Sequence, residues 1–237
     1  MSWDGFTRVV AVDVPHLVTQ RGNGRRFILG CDADRAVYLN LLQQNIDLYG
    51  VSPIGYCLLS NHVHLVVVPR KPDAWHRHLN RRTGAMRRTG TPLTNRLGMC
   101  GKDDYYSCPL DEPHLWEALR YTELNPLRAG LVPEVELWPW SSAASHCATR
   151  ADDESLALEM WRSHWTAPAW REYLGAGETE SRLAVIRQRT HTSQPLGTAE
   201  FVHGIEKATQ RRLALQKRGR RGNIVTDRSQ GELNFDP

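Results

Sequence analysis

The sequence predicts an α+β fold in which an antiparallel sheet carries packed helices and is followed by a helical appendage. Two apolar stretches, 54–59 and 63–69, are joined by Ser60 and Asn61, which is the spacing of a tight β-hairpin. Apolar residues recur at intervals of three and four over 36–49 and over 115–124, which indicates amphipathic helices. Strands and helices in this order favour a sandwich with antiparallel pairing.

The first predicted elements are a strand and a helix. Residues 7–20 alternate apolar and polar side chains in places, as in a strand with one packed face, and the basic turn RGNGRR follows. Asp32 is expected to cap a helix that ends near Gly50. Residues 74–90 have a helical pattern crowded with arginine, whereas 91–104 are rich in Gly, Thr and Pro, which predicts a loop.

The second half of the chain is predicted to be mostly helical. A helix begins after Asp111 and ends before Pro126, because proline disfavours helical geometry in the residue that precedes it. Leu131 and Val132 are expected to begin a last short strand or extended stretch. Further helices are expected near 154–163, 168–174, 178–189 and 198–217. We therefore divide the chain into a main domain at 1–146, a helical appendage at 147–206 and a basic, flexible tail at 207–237.

Composition excludes some classes of protein. No apolar run approaches the roughly 18 residues that span a bilayer, which excludes an integral membrane protein. The N-terminus lacks the basic-then-apolar layout of a signal peptide, so we expect a cytoplasmic location. The five cysteines are widely spaced and form no C-x-x-C pair, so they are interpreted as ordinary thiols.

Positive charge is concentrated near the C-terminus. The net charge is only +4, but residues 207–221 hold seven Lys or Arg and no acidic residue. This unevenness favours a polyanionic partner more than the total charge does. A solvated, partly disordered tail explains the same run and remains an open alternative.

His62 and His64 are candidate metal ligands. Residues two apart on a strand point to the same face, so the two imidazoles lie side by side while Val63 enters the opposite face. We expect the pair to lie at a solvent-accessible edge and to chelate one divalent ion. The alternative is a core or surface histidine. A second His-x-His, at His76 and His78, lies in a predicted helix, where the two rings diverge, and receives no metal role.

Tyr121 and Asn125 form the second candidate constellation. They lie four residues apart on the predicted helix and therefore share one face of it, which could meet the histidine edge of the sheet. The alternative is that Tyr121 is a half-buried core residue and Asn125 is only the polar residue before Pro126. The helix taken alone favours that alternative.

Four ordered segments carry a family resemblance. They are PHLVTQRGNGRR at 15–26, GYCLLSNHVHLVVVP at 55–69, YYSCPLDEPHLWEALRYTELNPLRAGLV at 105–132 and WPWSSAASH at 138–146. Together they resemble the single-tyrosine HUH transposases, in particular the branch of REP-associated tyrosine transposases. The likeness covers residues 10–146, and PLGTAEFVHGIE with the basic run after it is similar to the tail of that branch.

The resemblance implies a fold and a reaction. The fold is a ferredoxin-like or RRM-like sandwich, in which a histidine, hydrophobic, histidine strand matches 62–64 and a helix supplies the nucleophile Tyr121. Asn125 falls on the family's third metal ligand. One amide oxygen together with waters and phosphate oxygens suits Mg²⁺ or Mn²⁺ better than zinc. In the implied reaction, the tyrosine attacks phosphorus to form a 5′-phosphotyrosine and frees a 3′-hydroxyl.

The implied substrate is single-stranded DNA next to imperfect hairpins, such as repetitive extragenic palindromes. A protein that binds this substrate is expected to be associated with the nucleoid. The resemblance is compatible with either a monomer or a homodimer. Trp138 and Trp140 could stack bases, or pack the appendage on the core. The candidate DNA-binding residues are Arg21, Asn23, Arg25, Arg26, Arg211, Arg212, Lys217, Arg218, Arg220 and Arg221.

One segment departs from the family pattern. Many relatives carry a Trp-x-Gly-Arg-like word before an aromatic pair, whereas GMCGKDD precedes Tyr105 and Tyr106 here. Loss of part of a DNA platform would leave a hairpin-binding protein that no longer cleaves, which is the main alternative to an enzyme. A second alternative is a zinc hydrolase that uses His62 and His64, but such a site normally needs a third histidine or a carboxylate. A third and weaker alternative is an RRM-like RNA-binding protein, whose characteristic aromatic motif is absent from this sequence.

Overall fold

The sheet has four strands, all antiparallel, in the computed structural model, which describes residues 9–22, 27–72 and 105–213. The strands are β1 (His16–Arg21), β2 (Val51–Leu58), β3 (His62–Pro69) and β4 (Tyr105–Pro109), and their order across the sheet is β2-β3-β1-β4. Helices pack on both faces. The α+β class predicted from the sequence is confirmed.

The predicted hairpin forms one side of the sheet, with β2 at the edge and β3 inside it. Strands β2 and β3 pair in antiparallel register from Val51 with Pro69 to Leu58 with Val63. Strand β1 begins later than predicted, at His16, because the residues before it leave the sheet. Among them, Val9 and Ala11 pack against Ile205 from the C-terminal region instead.

The sequence analysis missed one strand and expected another that is absent. Strand β4 pairs with β1 from Gln20 with Tyr105 to His16 with Pro109. Leu131 and Val132, which were expected to begin a strand or extended stretch, lie in irregular structure instead. The predicted helix at 74–90 and the loop at 91–104 lie outside the described residues.

Helix α1 (Asp32–Tyr49) covers one face of the sheet. Its N-cap is Cys31, one residue before the predicted Asp32, and the Asp34 carboxylate accepts from the backbone N–H groups of Gly30 and Cys31 at 2.8 and 3.3 Å. The helix ends at Gly50, whose φ of 61° suits glycine. Its buried Tyr38 and Leu42 share a core with the odd-numbered residues of β3, Val63, Leu65 and Val67.

Helix α2 (Glu112–Glu123) lies on the other face of the sheet. Asp111 caps it as predicted, accepting from the backbone N–H of His114 at 3.2 Å. Leu115 and Leu119 share a core with the even-numbered Val66 and Val68 of β3. A β-carbon at Gly55 of β2 would lie 2.2 Å from Leu119 Cδ1, so glycine at that position allows the helix to approach the sheet closely.

The rest of the chain is a series of short helices that join the same core. After α2 come α3 (Asn125–Arg128), a 3₁₀ turn (Val135–Leu137), α4 (Ala143–His146), α5 (Leu158–Arg162), α6 (Ala167–Gly175), α7 (Glu180–Thr192) and α8 (Ala199–Thr209). Trp170 of α6 is fully buried, and Leu183 and Ile186 of α7 share a core with Leu17 of β1. Helix α7 contacts β4 and β1. No helix in the described part of the chain is long and apolar enough to cross a membrane.

Candidate functional site

His62 and His64 project from β3 toward the face that carries α2. They share this side of the strand with Val66 and Val68, which pack under α2, while Val63 lies in the core beneath α1. The centroids of the two imidazole rings are 4.9 Å apart. The side-by-side arrangement predicted from the spacing is therefore present in the structure.

Each imidazole has one nitrogen held by a neighbour. Nδ1 of His64 shares a 2.8 Å hydrogen bond with the Thr19 hydroxyl of β1, and Nδ1 of His62 donates to the Asn61 side-chain oxygen at 2.6 Å. Burial, followed by the Arg21 charge, lowers the pKa of His62 to about 4. Burial and the charges of His62, Arg128 and Arg21 lower the pKa of His64 well below its usual value. Both rings are thus neutral near pH 7, the form that binds a metal.

The two histidines differ in exposure. His62 is half-buried at the end of the sheet, but His64 is only 5% exposed. The expectation that the pair lies at an accessible edge therefore holds for His62 and is wrong for His64. The cause is the helix above it, because the Tyr121 ring lies against His64.

Tyr121 reaches the histidines from α2. Its ring centroid is 5.4 Å from that of His64, with the ring planes at 84°, and its side chain is 8% exposed. Residues Leu119 and Ala118 on the same helix are fully buried, which fixes the helix rotation. The structure thus brings together two groups that lie 57 positions apart in the sequence and were predicted to meet.

Asn125 lies one turn after Tyr121, at the start of α3. Its Nδ2 donates to the backbone carbonyls of Tyr121 at 3.0 Å and Thr122 at 3.3 Å. Since both partners are acceptors, the amide nitrogen is committed to the backbone, and Oδ1 is the atom that could bind a cation. The side chain is 9% exposed.

Two arginines beside Tyr121 were missed by the sequence analysis. The guanidinium carbon of Arg128 lies 4.5 Å from the centroid of the Tyr121 ring. Arg187 of α7 interacts with the Tyr121 side chain; burial works to lower the pKa of Arg187, but its interactions with Tyr121 and Glu180 outweigh that effect and raise the pKa. Arg128 follows Tyr121 by seven residues, two helical turns, and this spacing could have revealed it. No local signal links Arg187 to Tyr121.

Glu123 anchors a buried polar network beneath the site. This carboxylate, whose role the sequence left open between orienting the site and facing water, is fully buried. It accepts from Ser142 Oγ at 2.5 Å, from His146 Nδ1 at 2.5 Å and from Trp170 Nε1 at 2.8 Å. Two of these donors belong to the WPWSSAASH segment, which therefore packs against α2. Glu123 does not face water.

The two tryptophans of that segment are half-buried. Trp138 donates from Nε1 to the Leu58 carbonyl at 3.2 Å, and Trp140 packs against the core beneath α1. These contacts favour packing over base stacking for both side chains.

The candidate DNA-binding residues are only partly placed. Arg21 ends β1 and lies opposite His62 in the strand register, so it borders the site. Arg211 and Arg212 are exposed just after α8, whose Ile205 packs against Val9 and Ala11. The others lie outside the described residues, as do His76 and His78: Asn23, Arg25, Arg26, Lys217, Arg218, Arg220 and Arg221.

A cluster of conventional metal ligands is not found. Within 9–22, 27–72 and 105–213, no group of three or more His, Cys, Asp or Glu side chains is arranged to hold an ion. The candidate donors at this site are instead the imidazoles of His62 and His64 and the carboxamide of Asn125.

Comparison with known proteins gives one structural likeness. No family model matches the chain, and no curated protein matches it. A solved structure described as the REP-associated tyrosine transposase bound to a REP hairpin is similar to it, with 17% sequence identity and a TM-score of 0.49. The match covers 62% of this chain and 86% of that one. At this identity and score the likeness is not evidence of a shared activity.

Proposed function

We propose that this protein is a metal-assisted tyrosine DNA strand transferase, which cleaves and rejoins single-stranded DNA through a 5′-phosphotyrosine. The observation that carries the proposal is the contact between the Tyr121 ring and His64, one of two neutral imidazoles on the same strand face. A phenol beside two imidazoles that could hold a metal ion would supply both a nucleophile and an electrophilic aid for phosphodiester exchange.

The residues fit a divalent cation. Thr19 and Asn61 hold Nδ1 of each histidine, which leaves Nε2 of each ring as the ligand atom. The Asn125 oxygen is the third candidate ligand, and this mixed nitrogen and oxygen set favours Mg²⁺ or Mn²⁺ once waters and phosphate oxygens complete it. Such an ion would offset the charge that develops on a nonbridging oxygen of the scissile phosphate.

The chain's own residues perform the exchange. The Tyr121 hydroxyl gives its proton to water and its oxygen attacks phosphorus; a new P–O bond forms, the P–O3′ bond breaks, and the leaving 3′ oxygen takes a proton from water to become a 3′-hydroxyl. The ester is conserved in the covalent link, so the step needs no ATP and reverses when a 3′-hydroxyl attacks the phosphotyrosine. Arg187, which interacts with the Tyr121 side chain, would help to hold the nucleophile, and Arg21, opposite His62 in the strand register, is the candidate to bind a phosphate.

The proposed substrate is single-stranded DNA that bears hairpins. The support is the sequence resemblance described above, together with the basic residues at the end of β1 and in the C-terminal region.

The decisive test is Tyr121→Phe, which keeps the ring and its packing and removes only the attacking hydroxyl. A panel of hairpin-bearing single strands should carry a 3′-end label, because the fragment joined through its 5′ phosphate retains that end. With Mn²⁺, wild type should give protein-linked DNA on a denaturing gel, and the variant should give none while binding the hairpins equally well. Tyr173→Phe is the matched control, since Arg120 covers that ring similarly at 5.0 Å.

Two outcomes would contradict the proposal. A Tyr121→Phe protein that still nicks DNA and leaves a 5′-phosphate would show that water is the nucleophile and that the protein is a metal nuclease. Hairpin binding without cleavage by wild type, under any divalent metal, would instead identify a non-catalytic hairpin-binding protein.

A further inference from the structure

Arg128 is fixed on Tyr121 at two points. Its guanidinium lies over the face of the ring at 4.5 Å from the centroid, and one of its Nη2 hydrogens is donated to the Tyr121 backbone carbonyl. A planar guanidinium with two such contacts limits how far the ring can rotate or tilt.

Glu178 sets the position of Arg128. Its Oε2 accepts from Arg128 Nη1 at 2.7 Å, and the two side chains are only 18% and 21% exposed. A pair so shielded from water holds its geometry better than a surface ion pair. Glu178 lies between α6 and α7, so the contact joins the C-terminal appendage to the helix that carries the nucleophile.

A second arginine interacts with the same tyrosine. Arg187 of α7 interacts with the Tyr121 side chain, and its Nη1 pairs with Glu180 at 2.6 Å. That pair is exposed, so it fixes a guanidinium less firmly than the shielded pair of Arg128 with Glu178. Two positive charges, one from α3 and one from α7, thus act on the candidate nucleophile.

We propose that the appendage is part of the active site: Glu178 orients the Arg128 guanidinium on the Tyr121 ring, and Arg128 acts as a positioning residue that aims the tyrosine hydroxyl at the scissile phosphate. This inference rests on the proposed function. Arg128 gains and loses no proton in the step. Its fixed positive charge also opposes the repulsion between the attacking oxygen and the anionic phosphate.

The competing explanation is that the ion pair only ties the appendage to the core. The two explanations differ in which charge must lie on the ring. A purely structural ion pair would stabilise the fold equally well if its two charges were exchanged. Positioning of the tyrosine by a guanidinium would not survive the exchange, because a carboxylate on the ring would repel the phosphate.

The experiment compares Glu178→Gln, Arg128→Glu and the charge-swapped double variant Arg128→Glu/Glu178→Arg with wild type. The readouts are the thermal unfolding temperature, the Kd for a labelled hairpin strand, and the single-turnover rate of adduct formation with Mn²⁺ at saturating DNA. Glu178→Gln should lower that rate roughly tenfold with little change in Kd, because a misaimed nucleophile slows the chemical step and leaves binding intact.

The double variant should recover the part of the unfolding temperature that Arg128→Glu loses through the ion pair with Glu178, but not the rate. Recovery of both would show a structural tie and overturn the inference. Arg162→Ala is the control, since that arginine forms a surface pair with Asp152 on the appendage and should leave the rate unchanged. If Arg128→Glu does not fold, Glu178→Gln decides alone: a normal rate overturns the inference.

Failure of this inference is distinguishable from failure of the proposed function. An active wild type with a normal Glu178→Gln rate overturns only the role of Arg128 and Glu178. A wild type that forms no adduct with any hairpin or metal overturns the proposed function and this inference with it.

Discussion

His64 combines two roles that make its substitution more costly than that of His62. It is 5% exposed and its Nδ1 is hydrogen-bonded to Thr19, so it is both a candidate ligand and a packed side chain. His62 is half-buried and bonds only to its neighbour Asn61 through Nδ1. Substitution of these two candidate ligands should therefore affect stability differently and cleavage alike.

We expect His62→Ala and His64→Ala each to abolish Mn²⁺-dependent cleavage, because each removes one of two imidazole ligands. His64→Ala should also lower the free energy of unfolding by about 1–3 kcal/mol, since it leaves a void and strands the Thr19 hydroxyl, whereas His62→Ala should change it by about 0.5 kcal/mol or less. Urea unfolding without metal measures the difference.

A companion variant, Thr19→Val, keeps both imidazoles and removes the hydrogen-bond partner of His64. It should weaken metal affinity by about 10–100-fold and leave cleavage intact at saturating Mn²⁺. Unchanged cleavage in both histidine variants would remove the metal assignment from this pair.

Residue spacing predicted which members of the candidate site share a face, and the family resemblance singled out Tyr121 and Asn125, but neither predicted the surroundings of the site. The pairing of His62 with His64 follows from strand alternation, and that of Tyr121 with Asn125 from helical periodicity. Both are local rules. Arg187 and Glu178 could not be found in this way, because their contacts depend on how α7 and the loop before it pack on the sheet. The burial of His64 depends likewise on the helix above it.

At the scale of elements, Asp111 connects α2 to α8. One of its carboxylate oxygens accepts from the His114 backbone at the start of α2, and the other accepts from the Thr198 backbone N–H at 3.0 Å. A β-carbon at Gly197 would lie 2.7 Å from the same carboxylate, so the approach is close. Because α2 carries Tyr121, the link from Asp111 to α8 helps to fix the helix that positions this residue.

We expect Asp111→Ala to lower the free energy of unfolding by about 2–3 kcal/mol, because it removes an N-cap and a second backbone hydrogen bond together. Thr198→Ala removes only the cap of α8, where Thr198 Oγ accepts from Phe201 N–H at 3.2 Å, and should cost about 1 kcal/mol. Equal losses in urea unfolding would show that the link from α2 to α8 contributes nothing.

The elements were predicted where they are long and have one buried face. The hairpin and both long helices have such patterns and were found within a few residues. Strand β4 is only five residues long and its sequence YYSCP carries no alternation, so its identity as a strand comes from pairing with β1, a long-range contact. Residues 9–14 were predicted to be part of a strand because they are apolar and alternate in places. Their apolar side chains instead pack against α8, outside the sheet.

At the scale of the molecule, the predicted boundary at 146 does not separate two cores. Trp161, Trp170 and Ile186 from the appendage share one apolar cluster with Leu17 and Val66 of the sheet. Trp170 also donates to Glu123. Apolar periodicity shows that a helix has a buried face but not which surface covers it, and therefore the sequence could suggest an appendage without showing that it completes the core.

The basic tail is also better delimited in the structure. Helix α8 continues to Thr209, beyond the predicted start of the tail at Lys207, and Leu213 packs against the cluster of Val9, Ala11 and Ile205. A deletion that tests the tail should therefore begin after Leu213, so that the packing of α8 is left intact.

We expect removal of residues 214–237 to weaken binding of hairpin DNA and to lower its dependence on salt. Each phosphate contact on a single strand contributes about 0.7 to the slope of log affinity against log salt, so losing four contacts would reduce the slope by about three. The residues concerned are Lys217, Arg218, Arg220 and Arg221. Cleavage at saturating DNA should persist, because Tyr121 and the histidines are untouched.

Replacing these four basic residues with glutamine in the full-length chain is the matched control. This variant should reproduce most of the change, since charge and not chain length drives counterion release. An unchanged salt slope in both proteins would show that the basic run is a solvated tail that does not bind the DNA.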